Sequence, residues 1–246
     1  TFQMPIFITA TCEFTRFDDP ARTSAGEHVL LNAGGGGVAL LTTTRLVYAG
    51  PNVALNTDFY DALFTRPDDE LVTRLGDVYR ECKNMRASET SGADHRNFSL
   101  IGDPALPIAL PKYDVFATSI TDTLGNPVDT LKGLGVARVA GRVATNSGQV
   151  NTGFTGVIEA TVYDRIKERN TLSNDGGSVF TYPTQEDVVY RGLAEVNNGE
   201  FEFDFVLPKD ISFAVDTTAR ISFYAYTQTE DATGFEDGLS IGDRDE

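Results

Sequence analysis

The feature that most constrains the fold is a change in hydrophobic pattern near residue 111. Before it, short apolar runs alternate with segments whose apolar residues recur at helical spacing. After Pro111, apolar and polar residues alternate with a period of two, and turns rich in Gly, Asn and Asp separate the runs. Because helices and strands need different periods, the chain is predicted to form an α/β domain followed by an all-β domain.

The first domain, predicted over residues 1–111, is expected to contain a parallel sheet with helices on its faces. Ser24 followed by Glu27 is a capping-box signature for the start of a helix. Short continuous apolar runs predict buried strands, and their alternation with helices favours parallel pairing. The predicted elements, in chain order, are the strand PIFITATC, the helix SAGEHVLLN, the strand GVALLTTT, the helices NTDFYDALF and PDDELVTRLGDVYRECKNM (with Asp68, Asp69 and Glu70 in its first turn), and the strand NFSLIGDPAL.

The second domain, predicted over residues 112–228, is expected to be a β-sandwich of immunoglobulin-like size. The segment FEFDFVL places Phe201, Phe203 and Phe205 on one face, and NNGE at 197–200 is a hairpin signal. Residues 122–135 fit either a hairpin loop or a crossover between strands. The last segment, 229–246, is acidic and is interpreted as a solvated tail in preference to a calcium site. The other predicted strands are YDVFATSI, VARVAGRVAT, TGVIEATVYDR, DVVYRGLAEV and ARISFYAYT.

Composition excludes several classes of function. A formal net charge of -16 and a pI near 4.4 argue against binding to nucleic acid or to acidic membrane surfaces. Two cysteines are too few for a disulfide scaffold or a zinc site. With only two histidines as well, a metal cluster is not expected. The run AGGGG at 33–37 lacks the Lys and the Ser or Thr of a phosphate-binding loop, so no cofactor is predicted.

Cys12 is the candidate for chemistry, because it is predicted to lie at the carboxyl end of a central parallel strand, where open α/β sheets bind ligands. Residue types alone leave a buried structural cysteine and a catalytic one equally open. A thiol nucleophile needs a base, yet His28 and His95 are both better interpreted as surface residues. Cys82 stands at helical spacing and is interpreted as core packing, and a disulfide between the two cysteines is a further alternative.

A substrate loop is predicted directly after Cys12. Its four candidate residues are Glu13, Phe14, Asp18 and Asp19. The adjacent carboxylates in FDDP could bind a cation or select a basic substrate. A capped turn before Pro20 is the alternative, which we favour for this pair.

Several segments together resemble the gingipain-type cysteine peptidases of Bacteroidota, and within that family the cell-surface sortases of the type IX secretion system. The segments are TATCEFTRFDDP, SAGEHVLLN, GGVALLTTTRLVY, NFSLIGDPALPIALP and FVLPKDI. The resemblance implies the carboxyl half of a caspase-like domain followed by an immunoglobulin-like domain. It also implies that Cys12 is the nucleophile.

The same resemblance implies a histidine base in a Gly-His-Gly segment that precedes the cysteine. No such segment occurs in the sequence, and neither His28 nor His95 matches it, so we expect the base to come from chain upstream of residue 1. This chain alone is therefore expected to lack activity.

The implied function is a sortase at the outer face of the outer membrane. It would remove the carboxyl-terminal signal domain from exported proteins and attach them to the cell surface, with anionic lipopolysaccharide as a possible acceptor. The implied partners are those exported proteins, an outer-membrane β-barrel and subunits of an attachment complex. The alternatives are a non-catalytic scaffold and a module that binds cargo through the sandwich.

Overall fold

The computed structural model describes residues 4–65, 73–86, 94–128, 130–208 and 218–242. The chain divides into two compact units, Thr1–Ala109 and Leu110–Glu246. The boundary lies two residues before the one expected from the sequence. Among the described residues, no helix has the length and apolar character needed to span a membrane.

In the described residues of the first unit, three strands form a mixed sheet with the order β1-β2-β3. Strand β1 pairs with β2 in parallel, and β2 pairs with β3 in antiparallel fashion. The expectation of an all-parallel sheet is therefore wrong for β3, and β1 is an edge strand of the described sheet. In chain order the elements are β1 (Ile6–Ile8), α1 (Ala25–Leu31), β2 (Ala39–Thr43), α2 (Ala49–Phe64), α3 (Leu75–Met85), a 3₁₀ helix (Asp94–Asn97) and β3 (Phe98–Ile101).

The direction of β3 follows from the two consecutive helices that precede it. The end of α3 returns to the first half of α2, because Cys82 Sγ lies 3.4 Å from the carbonyl of Leu55. The chain thus comes back to the end of β2 from which it left, and the N–H of Thr44 donates to the carbonyl of Asn97 at 2.8 Å. A strand that starts there must run antiparallel to β2. A single helix would have led to a parallel strand.

Helix α1 has the predicted capping box, in which the Glu27 carboxylate accepts from Ser24 N at 2.8 Å and from Ser24 Oγ at 2.6 Å.

The other two helices, α2 and α3, differ from their predicted bounds. Helix α2 starts at Ala49, seven residues earlier than predicted, because Pro51 in its first turn is compatible with a helix start. Helix α3 begins at Leu75, and the predicted first turn with Asp68, Asp69 and Glu70 lies outside the described residues.

The core of the first unit forms between β2 and the two long helices. All five residues of β2 are buried, which confirms the interpretation of GVALLTTT as a strand covered on both faces. Helix α2 contributes Leu55 and Phe59, and helix α3 contributes Leu75, Val78 and Cys82. Cys82 is therefore a core residue, as the sequence predicts.

The described residues of the second unit form ten strands. Eight of them form one sheet, in the order β12-β7-β10-β11-β6-β4-β13-β5, which closes through a further pairing of β12 with β13. Strands β8 and β9 form a separate hairpin. The strands are β4 (Tyr113–Thr121), β5 (Thr130–Lys132), β6 (Val136–Ala144), β7 (Gly156–Tyr163), β8 (Lys167–Asn170), β9 (Thr181–Thr184), β10 (Val188–Asn197), β11 (Glu200–Val206), β12 (Thr218–Tyr226) and β13 (Asp231–Gly242).

The closed sheet forms two layers that share one hydrophobic core. The layers β10-β7-β12-β13 and β11-β6-β4 are joined by only two residue pairs at each corner, β10 to β11 and β13 to β4. Aromatic rings meet across the core, with Phe201 5.7 Å from Phe223 and Tyr190 5.1 Å from Phe205. The predicted inward face of FEFDFVL is confirmed. The immunoglobulin-like class of this unit stays a prediction.

The hairpin predicted at 197–200 is confirmed and joins β10 to β11. Asn198 and Gly199 have φ angles of 53° and 79°, as a two-residue hairpin turn with both central residues left-handed requires. The undecided segment 122–135 contains a turn fixed by the Asp122 carboxylate and then strand β5.

The predicted acidic tail is wrong for residues 231–242, which form β13. This strand pairs with β12 along most of its length, with β4 at its start and with β5 at its end. Its inward residues near the start are small: Ala232 is buried, and a Cβ on Gly234 would collide with the carbonyl of Val115, whereas Leu239 adds a large buried side chain near the end. The strand is held by backbone pairing with its neighbours and by close contact between its backbone and that of β4. It therefore does not need alternating apolar side chains, which are the pattern that predicts a strand from sequence.

We predict that Phe223→Ala lowers the free energy of unfolding of the second unit by about 3–5 kcal/mol, because the side chain is fully buried and leaves a cavity. Phe235→Ala is the matched control on the neighbouring strand, where the ring is 62% exposed. Its change should stay below about 1 kcal/mol. Urea unfolding followed by circular dichroism measures both, and equal effects would contradict the assigned core.

We also predict that Gly26→Ala destabilises the first unit by about 1–3 kcal/mol, because a Cβ there would overlap the side chain of Thr15. Gly50→Ala is the control, since Gly50 is likewise the second residue of a helix and has open space around it. It should be neutral or up to about 1 kcal/mol more stable. The comparison uses urea unfolding, and a neutral Gly26→Ala would disprove the close contact.

Candidate active site

The loop that follows β1 carries Cys12 and is fastened to the chain just after β2. Strand β1 ends at Ile8, so Cys12 lies in an exposed loop beyond it, and the expectation that it ends the strand is wrong. The backbone N–H of Glu13 donates to the carbonyl of Arg45 at 3.3 Å. Cys12 is thereby held beyond the carboxyl end of β2, at the edge where open α/β sheets bind ligands.

Buried threonines anchor the loop on both sides of Cys12. The hydroxyl of Thr42 lies 2.8 Å from that of Thr9 and 2.9 Å from that of Thr15. The hydroxyl of Thr43 donates to the carbonyl of Thr11, and the carbonyl of Thr43 accepts from Thr15 N at 3.0 Å. Because buried hydroxyls must be hydrogen-bonded, these contacts fix the backbone before and after the cysteine.

The thiol of Cys12 is exposed and faces the start of α2. Its Sγ donates to the carbonyl of Val47 at 3.4 Å, and the amide of Asn97 holds the neighbouring carbonyl of Leu46 at 3.0 Å. In the described part of the chain, the backbone N–H of Cys12 has no acceptor, whereas that of Glu13 is taken by Arg45. An accessible sulfur can attack a carbonyl carbon, and an N–H without an acceptor among the described residues can donate to the oxyanion that forms.

Cys82 is the opposite case. Its side chain is fully buried, its Sγ donates to the carbonyl of Leu55 at 3.4 Å, and burial raises the pKa of the thiol to about 11. Both cysteines are free, so the alternative of a disulfide between Cys12 and Cys82 is wrong for this structure.

Neither histidine is hydrogen-bonded to the sulfur in the described part of the chain. His28 is exposed on α1, and His95 lies half-buried in the 3₁₀ helix. Within the described residues, Cys12 Sγ makes its hydrogen bond to Val47 and to no histidine.

The predicted substrate-loop carboxylates are engaged in ion pairs. Asp18 binds both terminal nitrogens of Arg45, which holds the pKa of Asp18 below its usual value. Asp19 accepts from the backbone N–H of Ala21 at 3.0 Å and from Arg22 Nε at 2.9 Å, and these bonds lower the pKa of Asp19. The bond from Ala21 N to Asp19 caps the turn at Pro20, which is the alternative that the sequence favours for this pair. The two carboxylates are therefore ionised and paired with arginines, and their role as substrate contacts stays a prediction.

Glu13 and Phe14 are also held within the loop. Glu13 Oε1 lies 2.8 Å from Arg16 Nη1. Phe14 is half-buried, and its carbonyl accepts from Gly26 N at 2.8 Å. Both residues thus shape the loop that presents Cys12.

The groups that hold this loop were not predicted from the sequence. The missed residues are Arg16, Arg22, Thr42, Thr43, Arg45 and Val47. Arginines three residues after Glu13 and after Asp19 were a readable signal for local ion pairs. Arg45 and Val47 carried none, because they reach the loop only through the pairing of β1 with β2.

Comparison with known proteins decides the family of the first unit. The sequence profile of peptidase family C25 matches residues 2–109, which include Cys12 and its loop. The first unit belongs to peptidase family C25, the gingipain family. The expectation drawn from the sequence motifs is confirmed.

The chain is also similar to solved structures of other proteins. Dimeric latent PorU from Porphyromonas gingivalis is 27% identical with a TM-score of 0.50, and the match covers 74% of this chain and 17% of that one. This is more than the first unit alone occupies, so the similarity reaches into the second unit. RgpB from Porphyromonas gingivalis, in a complex of its pro- and mature domains, is 16% identical with a TM-score of 0.40 over 94% of this chain and 47% of its own.

The chain therefore spans less than half of either structure. No curated protein sequence matches it.

We predict that in the folded chain Cys12 reacts with a thiol reagent at least about a hundredfold faster than Cys82, which is buried and has a raised pKa. Timed alkylation followed by peptide mass spectrometry measures both rates. Cys12→Ser should remove the fast reaction, and urea should release the slow one. Equal rates in the folded state would contradict the assignment.

Proposed function

We propose that this chain carries the nucleophile of a cysteine peptidase and that Cys12 is that nucleophile. The observation that carries the proposal is an exposed thiol on a loop anchored at both sides, beside a backbone N–H that has no acceptor among the described residues. Membership of the first unit in family C25 supports it, because peptidase is the family's name.

In the proposed reaction, a histidine base takes the thiol proton as Cys12 Sγ attacks the scissile carbonyl carbon. The N–H of Cys12 donates to the oxyanion. The C–N bond then breaks, the departing amine takes the proton from the histidine, and the acyl group remains on sulfur as a thioester. Attack by water or by another amine releases the acyl group and returns the thiol.

The base in this proposal lies outside these 246 residues, as the family resemblance implies. His28 and His95 are given no part in it, since neither is hydrogen-bonded to Cys12 in the described structure and neither lies in a Gly-His-Gly segment. The 246-residue chain alone should then expose a reactive thiol without peptidase activity.

The finer proposal is a sortase. The enzyme would remove the carboxyl-terminal signal of exported proteins and pass the new terminus to an amine acceptor, with anionic lipopolysaccharide as a candidate. It would act at the cell surface with an outer-membrane β-barrel and attachment-complex subunits as partners. Similarity to PorU supports this proposal, and the second unit would position cargo or partner.

The test uses a protein that contains these residues together with the preceding histidine segment. Cys12→Ala should reduce processing of signal-bearing cargo by at least about a thousandfold, because it removes the thiol that forms the thioester and Cys82 is buried. Cleaved cargo is quantified by gel and mass spectrometry.

His28→Ala and His95→Ala are the controls and should each keep processing within about twofold. Unchanged processing by Cys12→Ala would reject the catalytic assignment and favour the non-catalytic scaffold. Cleavage without transfer would retain the peptidase and reject the sortase.

A further inference from the structure

The residue after Cys12 has an unusual backbone conformation. Glu13 has a φ angle of 50°, in the left-handed region that residues with a side chain rarely adopt. The other described non-glycine residues with positive φ are Leu134, Ser173 and Asn198, all in the second unit. A strained residue beside a candidate nucleophile points to a local requirement of the site.

Two separate sets of contacts hold Glu13 in this conformation. Its N–H donates to the carbonyl of Arg45 at 3.3 Å, and the Arg45 guanidinium is itself fixed by both oxygens of Asp18. Its carboxylate lies 2.8 Å from Arg16 Nη1 and 4.0 Å from Arg22 Nη2. Backbone and side chain are thus restrained independently.

Asp19 completes a ring of four charges around the loop. Its Oδ2 lies 2.9 Å from Arg22 Nε and 3.9 Å from Arg16 Nε, so the two arginines that bind Glu13 also meet at Asp19. The ring joins the residue after Cys12 to the far side of the same loop. Rotation of Glu13 out of the left-handed region would have to break this ring or the bond to Arg45.

The geometry of the main chain links this conformation to the thiol. Thr11 is anchored before Cys12 by the hydroxyl of Thr43, and the left-handed turn at Glu13 redirects the chain immediately after it. With both neighbours fixed, the direction of the Cys12 Cα–Cβ bond is set by the backbone and not by packing of the exposed side chain.

We propose that Glu13 is a positioning residue for Cys12: its left-handed backbone, held by the charge ring and by Arg45, aims the thiol and keeps the adjacent N–H open. This inference rests on the proposed peptidase function for its catalytic consequence. The orientation of the thiol itself can be tested without that function.

The decisive comparison is Glu13→Val against Glu13→Gly. Valine is β-branched and strongly disfavours the left-handed region, whereas glycine adopts it freely although it loses the ion pairs. In the histidine-containing protein, Glu13→Val should lower kcat by about a hundredfold with KM little changed, because a displaced nucleophile misses the carbonyl. Glu13→Gly should retain at least about tenfold more of kcat than Glu13→Val.

Alkylation of the 246-residue chain by iodoacetamide gives a readout that needs no peptidase activity. Glu13→Val should speed modification of Cys12 about fivefold, because the thiol leaves its acceptor at Val47 and becomes more accessible. Glu13→Gly should stay within about twofold of the unaltered chain. Ser173→Val is the matched control, since Ser173 has a φ angle of 53° in an exposed loop of the second unit, and it should leave the rate unchanged.

The outcomes separate this inference from the proposed function. Absence of peptidase activity in the unaltered protein, with the alkylation pattern as expected, would reject the peptidase and keep the positioning role. Equal alkylation rates for Glu13→Val and Glu13→Gly would overturn the positioning role. If Glu13→Val does not fold by circular dichroism, Glu13→Ala replaces it, because alanine also disfavours the left-handed region.

Discussion

The hydroxyl groups of Thr42 and Thr43 need hydrogen-bond partners inside the protein, because β2 is buried on both faces. Those partners are the side chains of Thr9 and Thr15 and the carbonyl of Thr11. The need to satisfy a buried strand therefore places the Cys12 loop at the end of that strand. Core packing and the position of the candidate nucleophile are consequences of one constraint.

Ion pairs then determine the shape of the loop that carries Cys12. Each exposed ion pair in the loop adds little to stability, since water screens it. Together the pairs hold Asp18, Asp19 and Glu13 in fixed positions around Cys12. In this loop, the carboxylates that the sequence predicts as substrate contacts form ion pairs with arginines, and their part in substrate binding stays a prediction.

The second unit shows how backbone pairing can outweigh composition. Strand β13 is acidic and glycine-containing, yet it joins the two layers because β12 and β4 both offer it unpaired edges. Pairing on both sides also removes the exposed edges that an open sandwich would present. Gly234 is required there, since the carbonyl of Val115 occupies the space of a side chain.

The sequence by itself determined the two-unit division, the buried strand β2, the capping box of α1, the inward phenylalanines of β11 and the family of the first unit. Each of these is a local pattern of period, cap or motif. Only the tertiary structure decided the antiparallel course of β3, the strand at 231–242, the exposure of Cys12 and the left-handed Glu13. These depend on which segments meet in space, as when Arg45 and Thr43 reach a loop some thirty residues earlier, and no local pattern carries that information.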